Sequence, residues 1–127
     1  TPKDQPFPKR IHHIYKELTA IIRQFKPHTM AIEDLFFSKN TKTAIKVAQA
    51  RGIMLLAGQE HGLEVCEYKP IEVKLAVSGY GRADKKQVQE MVRSLLKLSE
   101  VPKPDDVADA LAVAICHCHS YRVHSLT

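Results

Sequence analysis

The sequence has no apolar run long enough to cross a membrane. Its longest run, 110–116, has seven residues, whereas a membrane-spanning helix needs about 18 or more. It also lacks a basic segment followed by an apolar one near its start, so a secreted product is not expected. The first residue is Thr1 rather than Met, which predicts a processed or truncated chain.

Cysteine is scarce, and its count is odd. Cys66, Cys116 and Cys118 form no paired framework, which suits a reducing cytosol. The Cys-His-Cys-His run at 116–119 does not predict a zinc site, because neighbouring helical residues point about 100° apart and four consecutive ligands cannot converge on one tetrahedral ion. Cys66 is interpreted as a small buried apolar residue of a strand.

The composition is that of one soluble globular domain. The chain has 127 residues, of which 44% are hydrophobic and 26% are charged, and this length suffices for one domain but not for two. Nineteen Lys and Arg against fourteen Asp and Glu give a net charge of +5. A basic excess of this size is compatible with a polyanionic partner, but it is common among other proteins too.

Hydrophobic periodicity predicts an α/β layer fold with a parallel pair of strands. Apolar residues recur at helical spacing in five segments and form short strand-like runs in two. The predicted helices are 8–25, 41–59, 70–77, 85–98 and 106–123, and the predicted strands are 29–33 and 63–68. Two strands are fewer than a stable sheet normally has, so the sheet is expected to be incomplete.

Glu33 is the last residue of the first predicted strand. Ligands of α/β sheets collect beyond the carboxyl ends of the strands, so a carboxylate at this position is well sited for chemistry. The alternative is an ordinary polar residue that marks the end of the strand. The sequence leaves both interpretations open.

Asp106 and Asp109 begin the last predicted helix. A spacing of three residues places both on one face, where their oxygens could reach one metal ion. The alternative is helix capping, since aspartate in a first turn satisfies free N–H groups and the helix dipole. An apolar run follows Asp109, so this carboxylate is expected at the edge of the packed interior.

Basic residues flank a glycine-rich turn at 78–84. This turn is not a phosphate loop, because no strand leads into it and no Gly-Lys-Ser/Thr follows. Phosphate contact and a solvated helix face both remain possible for these residues, which are Lys74, Arg82, Lys85 and Lys86.

Five segments together resemble the RuvC family, bacterial Holliday-junction endonucleases of the RNase H-like superfamily. They match the family in order, in spacing and in residue identity over nearly the whole chain. The segments are AIEDLFFSKN at 31–40, AQARG at 48–52, EYKPIEVKLAVSGYGRADKKQVQ at 67–89, MVRSLLKL at 91–98 and ADALAVAICHCH at 108–119.

The resemblance implies one RuvC-type nuclease domain over residues 1–127, with a three-layer RNase H-like fold. It implies a cytoplasmic bacterial homodimer that holds a four-way DNA junction and nicks two opposed strands symmetrically in homologous recombination and repair. Two Mg²⁺ ions per site, with Mn²⁺ as a substitute, would activate the attacking water and stabilise the leaving oxygen as the strand is cut. The branch-migration proteins RuvA and RuvB are the implied protein partners.

The resemblance also assigns residue roles. Glu33, Asp106 and Asp109 match the family's catalytic metal ligands, and Phe36 matches an aromatic residue at the open centre of the junction. Lys74 and Lys85 match basic residues that face the scissile phosphate. The face of helix 41–59 with the small residues Ala44, Ala48 and Gly52 resembles the family's dimer contact.

The chain departs from the family pattern at its start. Family members begin with three antiparallel strands, the first of which carries a further aspartate ligand in an Asp-Pro-Gly turn, whereas this sequence opens on TPKDQPFPKRI. We therefore expect a fragment that covers about the C-terminal three quarters of a member and has little or no activity by itself. Two alternatives remain, a YqgF-type RNase H-like nuclease and a non-catalytic dimeric DNA-binding module.

Overall fold

The computed structural model describes residues 4–34 and 40–126, with side chains to residue 121. Within these ranges the elements follow the predicted order of helices and strands. They are α1 (Phe7–Phe25), β1 (Thr29–Glu33), α2 (Thr41–Glu60), β2 (Glu64–Tyr68), α3 (Pro70–Ser78), α4 (Lys85–Leu95) and α5 (Asp105–Leu126). No helix in the described ranges is long and apolar enough to cross a membrane.

The two strands pair in parallel, as the sequence predicts. Near their starts the Glu64 N–H donates to the His28 carbonyl at 3.1 Å, and at their ends the Asp34 N–H donates to the Tyr68 carbonyl at 2.7 Å. Because the starts of the two strands pair with each other and their ends do too, both carboxyl ends lie at one edge of the sheet. Glu33 therefore ends its strand beside Tyr68.

The described chain forms two compact units, and each strand contributes residues to both. The first unit contains α1 and α2, whose contact buries Ile22, Ala57 and Leu63. Gly58 permits a close approach here, since a Cβ on it would come within 3.1 Å of Met30 Cε and 3.2 Å of Val65 Cγ2.

The second unit contains α3, α4, α5 and the last residues of both strands. Helix α3 packs against both α4 and α5, and these two helices also pack against each other. Their common core has nine buried members, which are Cys66, Tyr68, Val73, Val77, Val92, Ala112, Val113, Ile115 and Cys116. Cys66 is thus a buried member of an apolar core, as predicted. The second unit carries every described residue of the predicted catalytic and DNA-binding sets.

Most element ends lie within one residue of the prediction, but two helix ends differ from it by three residues: α4 ends earlier than predicted, and α5 ends later, at Leu126. Helix α4 ends at Leu95 rather than at residue 98, because Lys97 adopts a left-handed backbone (φ 56°). The Lys97 N–H then donates to the Ser94 carbonyl and the Leu98 N–H to the Arg93 carbonyl, which together close the helix in a Schellman motif. Helix α5 begins at Asp105, one residue earlier than predicted.

Replacing Lys97 by glycine should raise the free energy of unfolding by about 0.5–1 kcal/mol, because glycine adopts a positive φ without the Cβ clash of an L-residue. The reverse change, Gly79→Ala, should lower it by about 1 kcal/mol, since Gly79 ends α3 at φ 76°. Urea unfolding measures both values. Equal stability of Lys97→Gly and the unmodified chain would contradict the prediction.

Candidate active site

Glu33 lies half-buried at the end of β1. Burial raises the pKa of its carboxyl group, the negative charge of Asp109 raises the pKa further, and the ammonium group of Lys74 opposes them. The pKa of a carboxyl responds in this way only to charges that lie near it. Charges on α5 and on α3 therefore act on the carboxyl group at the end of β1.

Asp106 and Asp109 lie in the first two turns of α5. Asp109 is the fifth residue of the helix, beyond the first-turn N–H groups that a capping side chain can reach, so capping does not account for it. The neighbouring positions Ala108 and Ala112 are buried, and Asp109 itself is exposed. This carboxylate is at the edge of the packed interior, as predicted.

Asp105 has a different environment from the two aspartates that follow it. Its carboxylate lies 3.1 Å from Lys85 Nζ and accepts a 3.3 Å hydrogen bond from Gln89 Nε2. The hydrogen bond from Lys85 and the positive charge of that side chain lower the pKa of Asp105. Helix α4 thus engages Asp105, which favours Asp106 as the partner of Asp109.

Lys85 faces the acidic start of α5. Its hydrogen bond to Asp105 raises the pKa of the ammonium group, and the charges of Asp109, Asp105 and Asp106 add to this effect. Lys74 lies near Glu33 and Lys85 near the aspartates, so two of the predicted basic residues adjoin the carboxylates.

The two other predicted DNA-binding residues that the structure describes are not joined to the carboxylates. Arg82, in the α3–α4 turn, and Lys86, in the first turn of α4, are exposed. Among the described side chains, neither forms a hydrogen bond or an ion pair with a carboxylate. Phe36 lies outside the described residues.

The carboxylates suit a hydrated divalent cation better than a closed cage. Among residues 4–34 and 40–126 no three His, Cys, Asp or Glu side chains are grouped closely enough to hold a metal ion on their own. Mg²⁺, however, usually takes one or two carboxylates and completes its shell with water and phosphate oxygens. Glu33 and Asp109 offer two such groups, and a cation between them would relieve the repulsion that raises the Glu33 pKa.

Sequence reasoning missed the contact of Tyr68 with His117. The Tyr68 hydroxyl lies 2.6 Å from His117 Nδ1, across 49 positions of sequence. The adjacent Cys116 is buried and Cys118 is exposed, so the side chains of the 116–119 run diverge as helical geometry predicts. A lone tyrosine at a strand end gives no sequence signal for such a distant partner.

Comparison with known proteins finds one family. The family model described as "Crossover junction endodeoxyribonuclease RuvC" matches residues 1–117. The protein of that name from Desulfitobacterium hafniense is 59% identical over 120 residues, which cover 94% of this chain and 73% of the relative. Its namesake from Syntrophomonas wolfei is 52% identical over 125 residues, which cover 98% and 73%.

Solved structures agree with these relatives. The RuvC structure of Thermus thermophilus superposes with a TM-score of 0.88 at 37% identity, covering 98% of this chain and 75% of that one. The same protein in complex with a Holliday junction substrate gives a TM-score of 0.86 at 35% identity, covering 97% and 75%. The predicted RNase H-like α/β fold class is thereby confirmed, and the chain spans about three quarters of the length of these relatives.

Glu33→Gln should raise the melting temperature of the metal-free protein at pH 7 by about 1–3 °C, since the neutral amide removes a charge that burial and Asp109 disfavour. A carboxyl whose pKa is higher in the folded state contributes its full stability below its ordinary pKa of 4.5. That contribution is lost as the pH rises through the raised value. The advantage of the variant should therefore be small at pH 4 and grow toward pH 7.

Thermal unfolding in EDTA from pH 4 to 8 measures this advantage. Glu100→Gln, at an exposed position in the α4–α5 loop, is the matched control and should show no pH-dependent difference. A Glu33→Gln advantage that stays constant with pH would contradict the assignment of the cause.

Proposed function

The chain belongs to the RuvC family of crossover junction endodeoxyribonucleases, and from this premise we propose that it resolves four-way DNA junctions by nicking two opposed strands symmetrically. The observation that carries the proposal is the state of Glu33 at the end of β1: burial and the charge of Asp109 on α5 raise its pKa, and the charge of Lys74 on α3 opposes them. The relative that was solved with a Holliday junction substrate supports the choice of DNA. Homologous recombination and repair are the processes that need this reaction.

Glu33, Asp106 and Asp109 are the proposed metal-binding catalytic residues. Divalent cations, when bound, supply activation of water and neutralisation of phosphate charge; Mg²⁺, two ions per site with Mn²⁺ as a substitute, is proposed. The carboxylates hold this charge at the strand end. Lys74 places a further positive charge beside Glu33, where it would attract the phosphate to be cut.

The DNA backbone is proposed to lie along the basic side of the second unit. Lys74 of α3, Arg82 of the following turn, and Lys85 and Lys86 of α4 supply the positive charges. Such contacts make affinity fall steeply with added salt. Phe36, outside the described residues, stays a predicted contact at the junction centre.

A second copy of the chain is proposed to bind the exposed face of α2. Ala48 and Gly52 lie open on this helix, with no atom within 4 Å of a Cβ built on Gly52. Ile45 and Leu56 fall on the same face at helical spacing and are 53% and 49% exposed. Ala44, which the resemblance placed on this face, is buried in its own chain. RuvA, RuvB and a cytoplasmic location remain proposals from the family.

Cleavage of an end-labelled four-way junction in Mg²⁺ tests the activity, with the chain expressed in its complete open reading frame. Paired nicks at symmetric positions are expected. Glu33→Gln should lower the rate by about 100-fold or more, because several kcal/mol of charge stabilisation depend on its carboxylate, and should leave junction binding intact. The 127-residue chain is assayed alongside, since the sequence predicts little or no activity for it.

Glu100→Gln serves again as the control and should cut like the unmodified protein. Junction binding without nicks in the unmodified protein would instead favour the non-catalytic dimeric DNA-binding module. Nicks at unrelated positions on the two strands would favour another RNase H-like nuclease.

Ala48→Glu should weaken self-association by about 10-fold or more, because a two-fold contact brings two copies of the new charge together. Ala20→Glu introduces the same charge at an exposed position of α1 and should leave self-association unchanged. Light scattering over a concentration series measures both. Equal dissociation constants for the two variants would place the dimer contact elsewhere.

A further inference from the structure

Tyr68 bonds to both elements that carry the proposed metal-binding carboxylates. Its carbonyl accepts the 2.7 Å hydrogen bond from the N–H of Asp34, the residue that follows Glu33. Its hydroxyl lies 2.6 Å from Nδ1 of His117, on the helix that begins with the aspartates. The side chain is fully buried at the end of β2, so its position is set by the core of the second unit.

We propose that Tyr68 is a positioning residue for the metal site: its carbonyl fixes the end of β1 that carries Glu33, and its hydroxyl, through His117, fixes helix α5 and its aspartates. This role rests on the proposed function, because it requires that β1 and α5 supply the metal ligands.

The surroundings of the hydroxyl favour a persistent bond. Burial, with the nearby thiols of Cys66 and Cys116, raises the pKa of Tyr68 to about 12, so the hydroxyl keeps its proton at every physiological pH. The His117 ring lies edge-on to Tyr68 at 5.6 Å between centroids and tilted against Tyr121 at 5.1 Å. Two rings therefore restrict the imidazole to the orientation that meets the hydroxyl.

The bond holds α5 at a point distant from its ligands. His117 lies eight residues beyond Asp109, about 12 Å along the helix axis. A second contact, from Cys116 Sγ to the Glu72 carbonyl at 3.7 Å, joins the same turn of α5 to α3. With this turn fixed, rotation or sliding of α5 that would carry Asp109 away from Glu33 is opposed.

The affinity for Mg²⁺ or Mn²⁺ is expected to depend on how well the carboxylates are positioned. Mg²⁺ requires near-ideal octahedral geometry with oxygens at about 2.0–2.1 Å, so small displacements of a carboxylate weaken binding. Loss of a group that orients a metal ligand typically costs about 10–100-fold in metal affinity. The same range is expected when the orientation of the whole ligand-bearing helix depends on one bond.

Tyr68→Phe tests the role, because it removes the hydroxyl and keeps the buried ring. Titration calorimetry with Mn²⁺, on the full chain without DNA, should show a dissociation constant raised by about 10-fold. His117→Phe should have the same effect, and the double variant should be no worse than either single one, since each removes the same bond. Junction affinity in EDTA should change by less than about twofold, and thermal unfolding verifies that each variant is folded.

Tyr15→Phe is the matched control. It removes a tyrosine hydroxyl bond of equal length, 2.6 Å to Glu60 Oε2, in the unit that contains α1 and α2. Its Mn²⁺ affinity should equal that of the unmodified protein. An equal loss in Tyr15→Phe and Tyr68→Phe would overturn the proposal, because it would show a general effect of destabilisation.

Glu33→Gln separates this proposal from the proposed function. If Glu33→Gln weakens Mn²⁺ binding and Tyr68→Phe does not, the positioning role is wrong and the ligand assignment stands. If Glu33→Gln leaves Mn²⁺ binding unchanged, the ligand assignment itself is wrong. Additive losses in the Tyr68→Phe and His117→Phe pair would also overturn the proposal, since independent effects do not come from one bond.

Discussion

The hydrogen bond from the Asp34 N–H to the Tyr68 carbonyl closes the parallel pairing of β1 with β2, and the candidate site depends on this pairing. Parallel strands end at the same edge of a sheet, so the register fixes where Glu33 stands. A slip of one residue would turn Glu33 to the opposite face of the strand. The remaining contacts at the site bring α3, α4 and α5 to this edge.

The charges at this edge are arranged for binding rather than for stability. Burial and Asp109 both disfavour the ionised form of Glu33, and Lys74 offsets only part of this. Asp105, by contrast, has Lys85 as a direct partner, and its pKa is lowered. Neighbouring carboxylates thus differ: Asp105 is an ion-paired group between two helices, whereas Glu33 and Asp109 are the ones for which cation binding is proposed.

The predictable part of the fold is the part governed by local pattern. The strand at 29–33 and the helix that begins at Thr41 follow from apolar spacing and from the Asn40 side chain that caps the helix. The end of α4 at Leu95, which the left-handed backbone of Lys97 sets, did not follow, because lysine rarely adopts a positive φ and no glycine marks the end of the helix. The bond between Tyr68 and His117 could not be predicted from the sequence either, since its partners are 49 residues apart.

The sequence could identify the candidate residues of the site, but it could not decide between a structural and a metal-binding role for each of them. For Glu33 the sequence allowed a polar strand end or a ligand, and for Asp109 a cap or a ligand. The start of α5 at Asp105 argues against the cap, because it moves Asp109 beyond the reach of the free N–H groups. The effect of Asp109 on Glu33 then bears on the first: a carboxylate that merely ends a strand has no reason to be half-buried within the field of a second one. Family membership names the reaction, and the electrostatic effect of Asp109 on Glu33 is the argument for the proposal that these two carboxylates take part in it.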